Sequence, residues 1–191
     1  MYASVALLRS TRWSNLLSHD KNEPKTHRAL RNRIVFSAIV VLWVFFDRIT
    51  KAWFEGRPAG APSIDLGGIV ELKLVHNFGA AWSTFSGMTM GLIVVTFILC
   101  VVIVAYALLA SKEASMLEMV GLALVFAGGV GNLIDRMVNG YVVDFISPLF
   151  IDFPTFNVAD TGITCGIVCV IVALGRRYFL ANKHAKTSEE A

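Results

Sequence analysis

The sequence feature that most constrains the fold is a stretch without any charged side chain at residues 88–110. An α-helix needs roughly 20 residues to cross the hydrocarbon core of a membrane. Three further segments, at about 34–54, 116–134 and 156–175, are apolar over about the same length. Hydrophobic residues make up 55% of the 191 residues, which is high for a soluble domain. We therefore predict an α-helical integral membrane protein with four transmembrane helices.

The distribution of basic residues predicts how these helices are oriented. Lysines and arginines are concentrated at the two ends of the chain, and Lys112 lies in the short link between the second and third helices. Because basic residues are favoured on the cytoplasmic side, both termini are predicted to be cytoplasmic. Segments 55–87 and 135–155 then lie outside. The formal net charge of +3 comes mostly from the ends, which favours anionic lipid headgroups rather than nucleic acid as partners.

The chain is predicted to form one membrane domain at residues 34–180, between two polar ends. Residues 1–33 are basic and have no apolar core, which predicts a mostly disordered cytoplasmic extension, with an amphipathic turn near 5–17, and not a cleaved signal peptide. Residues 181–191 are predicted to be a cytoplasmic tail. Residues 69–75 alternate in the β manner, which predicts a small external sheet at the membrane surface. The three cysteines lie within predicted helices and are interpreted as packing residues.

Acidic residues recur at the predicted outer ends of the helices. Asp47 lies in the outer third of the first helix, Asp135 at the end of the third, and Asp160 near the start of the fourth. Asp144 lies in the external segment between the last two helices. Carboxylates near hydrocarbon are costly and are therefore candidates for function. Two carboxyl groups that share one proton can activate water and protonate a leaving amine, as aspartic proteases do, without a cofactor or a metal ion.

Other hydrolytic arrangements are poorly represented in the chain. The sequence contains no G-x-S-x-G stretch, no HExxH and no glycine-rich phosphate loop. His76 has no obvious nucleophile partner, and the other histidines fall in the predicted cytoplasmic ends. The carboxylates therefore remain the best candidates for catalysis.

Five short motifs occur in order along the four apolar segments. They are DRITK at 47–51, HNFGAAWS at 76–83, GNLIDR at 131–136, VVDF at 142–145 and FNVAD at 156–160. Over about residues 34–180 the chain thereby resembles the lipoprotein signal peptidases, the type II signal peptidases of bacteria and aspartic peptidase family A8. The resemblance implies an enzyme of the cytoplasmic (inner) membrane, with its active site at the outer face, and nothing in the sequence requires more than a monomer. It implies an endopeptidase that cuts diacylglyceryl-modified prolipoproteins just before the lipidated cysteine and that globomycin-type inhibitors block.

The resemblance also assigns roles to individual residues. The catalytic pair maps onto Asp144 and Asp160. Supporting or substrate-binding roles map onto Asp47, Lys51, Asn77, Gly79, Asn132, Asp135, Arg136 and Asn157. Arg48 stands where the resemblance predicts a glutamine, and the extension at residues 1–33 is longer than the family needs.

Several of these residues also have structural interpretations. Asp47 is interpreted as a residue that pairs with Lys51 or Arg136 or that holds the external sheet, and Lys51 as one that extends to lipid headgroups. Asp135 and Arg136 are interpreted as an adjacent ion pair, and the asparagines as caps of turns. Asp152 is interpreted as a solvated loop acid.

Two other functions fit part of the pattern. An ion- or proton-translocating membrane protein also carries intramembrane acids, but it needs polar groups through the whole bilayer, and the second predicted helix offers little beyond Thr96. A non-catalytic scaffold that binds lipid or a partner helix would use the glycine- and alanine-rich third helix. It leaves Asp144 and Asp160 unexplained.

Overall fold

Four helices and three strands make up the fold. The computed structural model describes residues 24–79 and 89–189, with side chains as far as residue 182. Within these ranges the helices are α1 (Lys25–Glu55), α2 (Thr89–Ala110), α3 (Met116–Val138) and α4 (Val158–Glu189). The strands are β1 (Ile64–Leu66), β2 (Val70–Asn77) and β3 (Val142–Pro148). Each helix contains a stretch long and apolar enough to cross a membrane, so the prediction of four transmembrane helices is confirmed.

Helix α3 is the central helix of the bundle. In its most apolar stretch 61% of the residues are buried, against 11% in α1, 11% in α2 and 22% in α4. The outer helices expose large apolar side chains such as Leu42, Phe97 and Ile171. In a bilayer these side chains face lipid tails, which are as apolar as they are, so they need no protein partner.

Helices α3 and α4 pack backbone against backbone. A Cβ atom added at Gly121 would lie 2.7 Å from the carbonyl oxygen of Gly166, and one added at Gly166 would lie 2.6 Å from that of Gly121. Both distances are too short for any side chain, so only glycine allows this approach. Close packing of small residues is the main source of helix association in lipid. The glycines of α3 therefore serve association within the chain itself.

Helix α1 begins before the apolar run, so the prediction of a disordered extension is wrong for residues 25–33. The first turns of the helix contact the link between α2 and α3. There the buried Asn32 donates through Nδ2 to the carbonyl oxygens of Ser111 and Ala114, each at 3.0 Å. Hydropathy marks only the part of a helix that lies in hydrocarbon, whereas the helix itself continues wherever polar residues find partners.

Helix α4 also extends further than its apolar run. It continues to Glu189, through most of the residues 181–191 that are predicted to be a tail. The amphipathic turn predicted near residues 5–17 lies outside the described residues.

The three strands form one antiparallel sheet in the order β1-β2-β3. β2 covers most of the strand predicted at 69–75, so the prediction of a small sheet is confirmed. The sequence does not predict β3, because both faces of that strand are largely buried and its residues therefore show no polar alternation. In the β2–β3 pair, Asp144 lies opposite Val75, and Val142 lies opposite Asn77.

Two local features hold β3 at one end of the bundle. Gly140, with φ of 81°, makes the turn that leads from α3 into the strand. The ring of Phe145 then stacks on that of Phe54 near the end of α1, with centroids 4.2 Å apart and planes 12° apart. The strand that carries Asp144 therefore lies where α1 and α3 end and α4 begins.

The contact between α3 and α4 predicts an asymmetry between two glycine substitutions in α4. Gly166→Leu forces the helix backbones apart and should lower the free energy of unfolding by about 3 kcal/mol. Gly175→Leu makes the same chemical change in the same helix, where an added Cβ meets nothing within 4 Å, and should be tolerated. Thermal unfolding of the two purified variants in detergent measures the difference. Equal melting temperatures would contradict the packing argument.

Candidate active site

A cavity of about 590 Å³ lies at the end of the bundle where α4 begins. Its polar wall carries residues from β2, α3, β3 and α4: Asn77, Asn132, Arg136, Asp144 and Asp160. Its other walls are formed by Thr96 of α2, by residues 153–156 and by the first turns of α4 as far as Cys165. Five of the residues predicted for the site therefore line one cavity.

The chain between β3 and α4 is tied back so that both acidic residues reach this cavity. Phe156 accepts hydrogen bonds at its carbonyl oxygen from the amides of Phe145 and Ile146, at 3.0 and 2.8 Å. Its own amide donates to the carbonyl oxygen of Ile146 at 3.0 Å. Because residue 156 is fixed on the strand that holds Asp144, α4 begins beside that strand and carries Asp160 in its first turn.

Two asparagines connect the two carboxylates. Asn157 donates through Nδ2 to Asp144 Oδ1 at 2.7 Å, and Asn132 donates through Nδ2 to Asp160 Oδ1 at 2.7 Å. The asparagines also contact each other, because Asn157 Nδ2 lies 3.1 Å from Asn132 Oδ1. Asp144 and Asp160 therefore belong to a single hydrogen-bond network. Asn132 is more than the cap of a turn, because its side chain forms hydrogen bonds with residues remote in sequence.

The other oxygen of Asp144 is held from β2. Asn77 donates through Nδ2 to Asp144 Oδ2 at 2.9 Å, and its own Oδ1 accepts from the amide of Gly79 at 3.0 Å. Arg136 donates through Nη2 to the carbonyl oxygen of Gly79 at 3.1 Å. The end of β2 is thus fixed beside the carboxylates by residues of three motifs.

The start of α4 fixes Asp160 in a reciprocal pair of hydrogen bonds. Asp160 Oδ2 accepts from the amide of Asn157 at 3.2 Å, and Asn157 Oδ1 accepts from the amide of Asp160 at 3.0 Å. This is the arrangement of a capping box, in which two side chains satisfy each other's backbone amides. Asn157 therefore caps α4 and bonds Asp144 at the same time, so the structural and the site interpretations of this residue coexist.

Burial gives Asp144 an unusual pKa. The side chain is 2% exposed. This desolvation, together with the nearby charge of Asp160, raises the pKa of Asp144 to about 7, although hydrogen bonds from Asn77 and Asn157 and the charge of Lys51 oppose the rise. At neutral pH the carboxyl of Asp144 is therefore divided between its protonated and ionised forms.

A cluster of four charged side chains lies behind the asparagines. Lys51 is 1% exposed, so the prediction that it extends to headgroups is wrong. Its Nζ lies 2.9 Å from Asp47 Oδ2 and 2.9 Å from Asp135 Oδ2. Arg48 pairs with the other oxygen of Asp135. The predicted pairing of Asp47 with Lys51 is confirmed, whereas Asp135 pairs with Lys51 and Arg48, and no ion pair joins it to Arg136 among the described residues.

The two acids of this cluster also support the backbone next to the cavity. Asp47 Oδ1 accepts from the amide of Ala159 at 2.9 Å, and Asp135 Oδ2 accepts from the amide of Val143 at 3.3 Å. Each amide belongs to the residue just before one of the two cavity carboxylates. Asp135 therefore accepts a hydrogen bond from the sheet, whereas the backbone hydrogen bond of Asp47 comes from α4.

Sequence reasoning misses some of the residues that complete the site. Trp43 donates through Nε1 to the carbonyl oxygen of Val158 at 3.1 Å and so supports the start of α4. Cys165, which was expected only to pack, is exposed and lines the cavity. A tryptophan or a cysteine in an apolar helix gives no signal of such contacts in the sequence. Asp152 is exposed, as its interpretation as a loop acid predicts.

Comparison with known proteins gives a consistent result. The model of the family described as signal peptidase (SPase) II matches residues 39–176. A lipoprotein signal peptidase of Latilactobacillus sakei is 37% identical over 142 residues, which are 74% of this chain and 93% of that protein. One of Gloeobacter violaceus is 37% identical over 138 residues, which are 72% of this chain and 79% of that protein.

Two solved structures have the same fold. Both are described as a bacterial membrane enzyme structure by the in meso method, at 2.3 Å and 1.9 Å resolution, and both are 34% identical to this chain. Their TM-scores are 0.67 and 0.66, over 74% and 73% of this chain and 87% and 91% of theirs. Because the family model and these relatives agree over most of the sequence, the chain belongs to the signal peptidase II family, as its five motifs predict.

Proposed function

We propose that the protein is a membrane aspartic endopeptidase that removes the signal peptide from diacylglyceryl-modified prolipoproteins and cuts just before the lipidated cysteine. The observation that carries the proposal is the hydrogen-bond network around the two carboxylates. Asn157 donates to Asp144 and Asn132 donates to Asp160, and the two asparagine side chains contact each other. The names of the relatives support the substrate class. The four membrane-spanning helices and the bacterial relatives make it a multi-pass inner-membrane protein.

The chemistry follows from one proton shared by two carboxyl groups. We assign the proton to Asp144, whose pKa is raised to about 7. We assign the role of base to Asp160, which accepts hydrogen bonds from Asn132 Nδ2 and from the amide of Asn157. Asp160 takes a proton from water as the water oxygen attacks the scissile carbonyl carbon, while Asp144 donates its proton toward the carbonyl oxygen. When the tetrahedral intermediate collapses, the C–N bond breaks and the leaving amine takes the proton that Asp160 accepted. The hydroxyl that becomes the new carbonyl oxygen returns its proton to Asp144, which restores the starting state of the pair. No other group is needed for the proton balance.

The position of the site suits a substrate anchored in lipid. The cavity lies at the opposite end of the bundle from the basic beginning of α1 and the basic residues Arg176 and Arg177 of α4. If the basic end is cytoplasmic, both termini are cytoplasmic and the cavity lies at the outer face. A diacylglyceryl group that remains in the outer leaflet then places its cysteine at the depth of the carboxylates. Lipids and globomycin-type inhibitors would occupy the same apolar walls, and a single chain supplies every group named.

Ion translocation is a weaker alternative. Among the described residues the acids of the cavity and of the cluster behind it lie at one end of the bundle, and α2 has no charged side chain. A path for ions needs polar groups through the whole bilayer. The position of the acids therefore favours hydrolysis at one membrane surface.

The proposed roles predict loss of turnover when either acid of the pair is made neutral. Asp144→Asn and Asp160→Asn should each lower kcat by about 10³-fold or more, because the shared proton and the base are lost. Cleavage of a diacylglyceryl-modified precursor in detergent is the measurement. Asp152→Asn, which changes an exposed acid of the β3–α4 loop in the same way, should cleave at the unaltered rate. Retained turnover in both cavity variants would exclude the dyad.

The pKa of Asp144 predicts the alkaline limb of the pH profile. Below about pH 7 the carboxyl keeps its proton, and above that pH it ionises, so kcat/KM should fall as pH rises through about 7. The hydrogen bond from Asn77 lowers this pKa, so Asn77→Ala should move the limb to higher pH in addition to any loss of rate. A limb that stays in place or moves to lower pH in this variant would contradict the assignment of the proton to Asp144.

The proposed substrate class predicts discrimination by the lipid. The purified chain should cut a diacylglyceryl-modified precursor and leave the same precursor without the lipid uncut, and globomycin should block the cleavage. Mass spectrometry of the products locates the cut relative to the cysteine. Cleavage of both precursors at equal rates would show that the lipid is not recognised.

A further inference from the structure

Three acceptor atoms lie close to the ammonium group of Lys51. Its Nζ lies 2.9 Å from Asp47 Oδ2, from Asp135 Oδ2 and from Asn132 Oδ1. An ammonium group has three protons to donate and no lone pair to accept with, so it can only act as a donor toward these atoms. Of the three contacts, the one to Asn132 is a hydrogen bond to a neutral group that also belongs to the active-site network.

The amide of Asn132 has two possible orientations of nearly equal shape. In the observed orientation Oδ1 accepts from Lys51 at 2.9 Å, and Nδ2 donates to Asp160 Oδ1 at 2.7 Å. In the reversed orientation the amide nitrogen would face the ammonium, donor against donor, and the amide oxygen would face the carboxylate, acceptor against acceptor. Asn157 Nδ2, 3.1 Å from the same oxygen, also opposes the reversed orientation. Lys51 adds a closer, charged donor that cannot accept a hydrogen bond, and so disfavours the reversed orientation further.

We propose that Lys51 is a positioning residue, whose ammonium fixes the orientation of the Asn132 amide so that this amide holds Asp160 in the geometry needed for attack on the substrate. The proposal rests on the proposed function and goes beyond it, since Lys51 itself does not line the cavity. It replaces the expectation that Lys51 interacts with lipid headgroups.

The competing explanation is that Lys51 only balances the charge of the buried acids. Asp135 keeps Arg48 as a second partner, so Asp47 is the acid that depends on Lys51 for its ion pair. A buried charge that loses its partner is strongly destabilising. A lower activity of Lys51→Met alone could therefore reflect either a less stable fold or a misoriented Asn132 amide.

A double substitution separates the two explanations. Asp47→Asn removes the unpaired charge and keeps an oxygen for the amide of Ala159, and Met fills the space of the lysine stem without a donor. The proposal limits the structural role of Lys51 to its pairing with Asp47. The variant Asp47→Asn/Lys51→Met should therefore recover the melting temperature that Lys51→Met loses. An equally unstable double variant would count against the proposal.

The decisive comparison is turnover of the lipidated precursor by Asp47→Asn/Lys51→Met against Asp47→Asn alone. We expect kcat to be about 10²-fold lower in the double variant, with KM changed far less, because the misplaced group acts in the chemical step. Recovery of kcat together with stability would show that Lys51 is only a charge partner. Adding Asn132→Ala to both variants should abolish the difference between them, since Lys51 acts through Asn132. Additive losses would overturn the proposal.

A spectroscopic measurement makes the test independent of turnover. In protein labelled with ¹⁵N at asparagine side chains, the Asn132 amide proton bonded to Asp160 should resonate downfield in Asp47→Asn. This shift should be lost in Asp47→Asn/Lys51→Met. An unchanged signal would overturn the positioning role, even if the unaltered chain failed to cut the lipidated precursor. That failure would count against the proposed function alone.

Discussion

The active site depends on the contact between the side chains of Asn132 and Asn157, whose Oδ1 and Nδ2 atoms lie 3.1 Å apart. This contact joins the end of α3 to the start of α4, and each of the two asparagines also donates to one carboxylate through a neutral amide. A neutral donor suits the proposed mechanism, because a direct ion pair would favour the ionised form of a carboxyl that is proposed to share a proton. Lys51 donates to Asn132, so its proposed effect on Asp160 passes through a neutral amide.

The four charged side chains behind the two asparagines balance one another. Asp47 and Asp135 accept hydrogen bonds from the amides of Ala159 and Val143, next to the two proposed catalytic positions. Two buried carboxylates need two cations, and Lys51 and Arg48 supply them. A glutamine at position 48 would leave this cluster with one uncompensated charge by formal count. Arg48 therefore has a clear physical role in this chain.

The sequence predicts those parts of the molecule that the bilayer and the motifs dictate. A span of hydrocarbon requires a long apolar run, so the four helices are evident, and the motif set supplies the residues that line the cavity. Burial of Lys51 is not predictable, because a lysine near the end of a helix normally extends to the interface, and only tertiary contacts show otherwise. Strand β3 is also not predictable from the sequence. Both of its faces are largely buried, so its residues lack the alternation of apolar and polar side chains that indicates a strand.

The packing of α3 against its neighbours explains how so small a bundle holds a cavity. The glycine contact brings α3 and α4 too close for any side chain between them at Gly121 and Gly166, whereas α2 packs on α3 and scarcely touches α4. A gap therefore remains between α2 and α4, and the cavity occupies it, with Thr96 on one side and Thr164 on the other. A substrate attached to lipid can approach such a gap within the bilayer, so the tight contact on one side of α4 is what leaves room for the proposed substrate on the other.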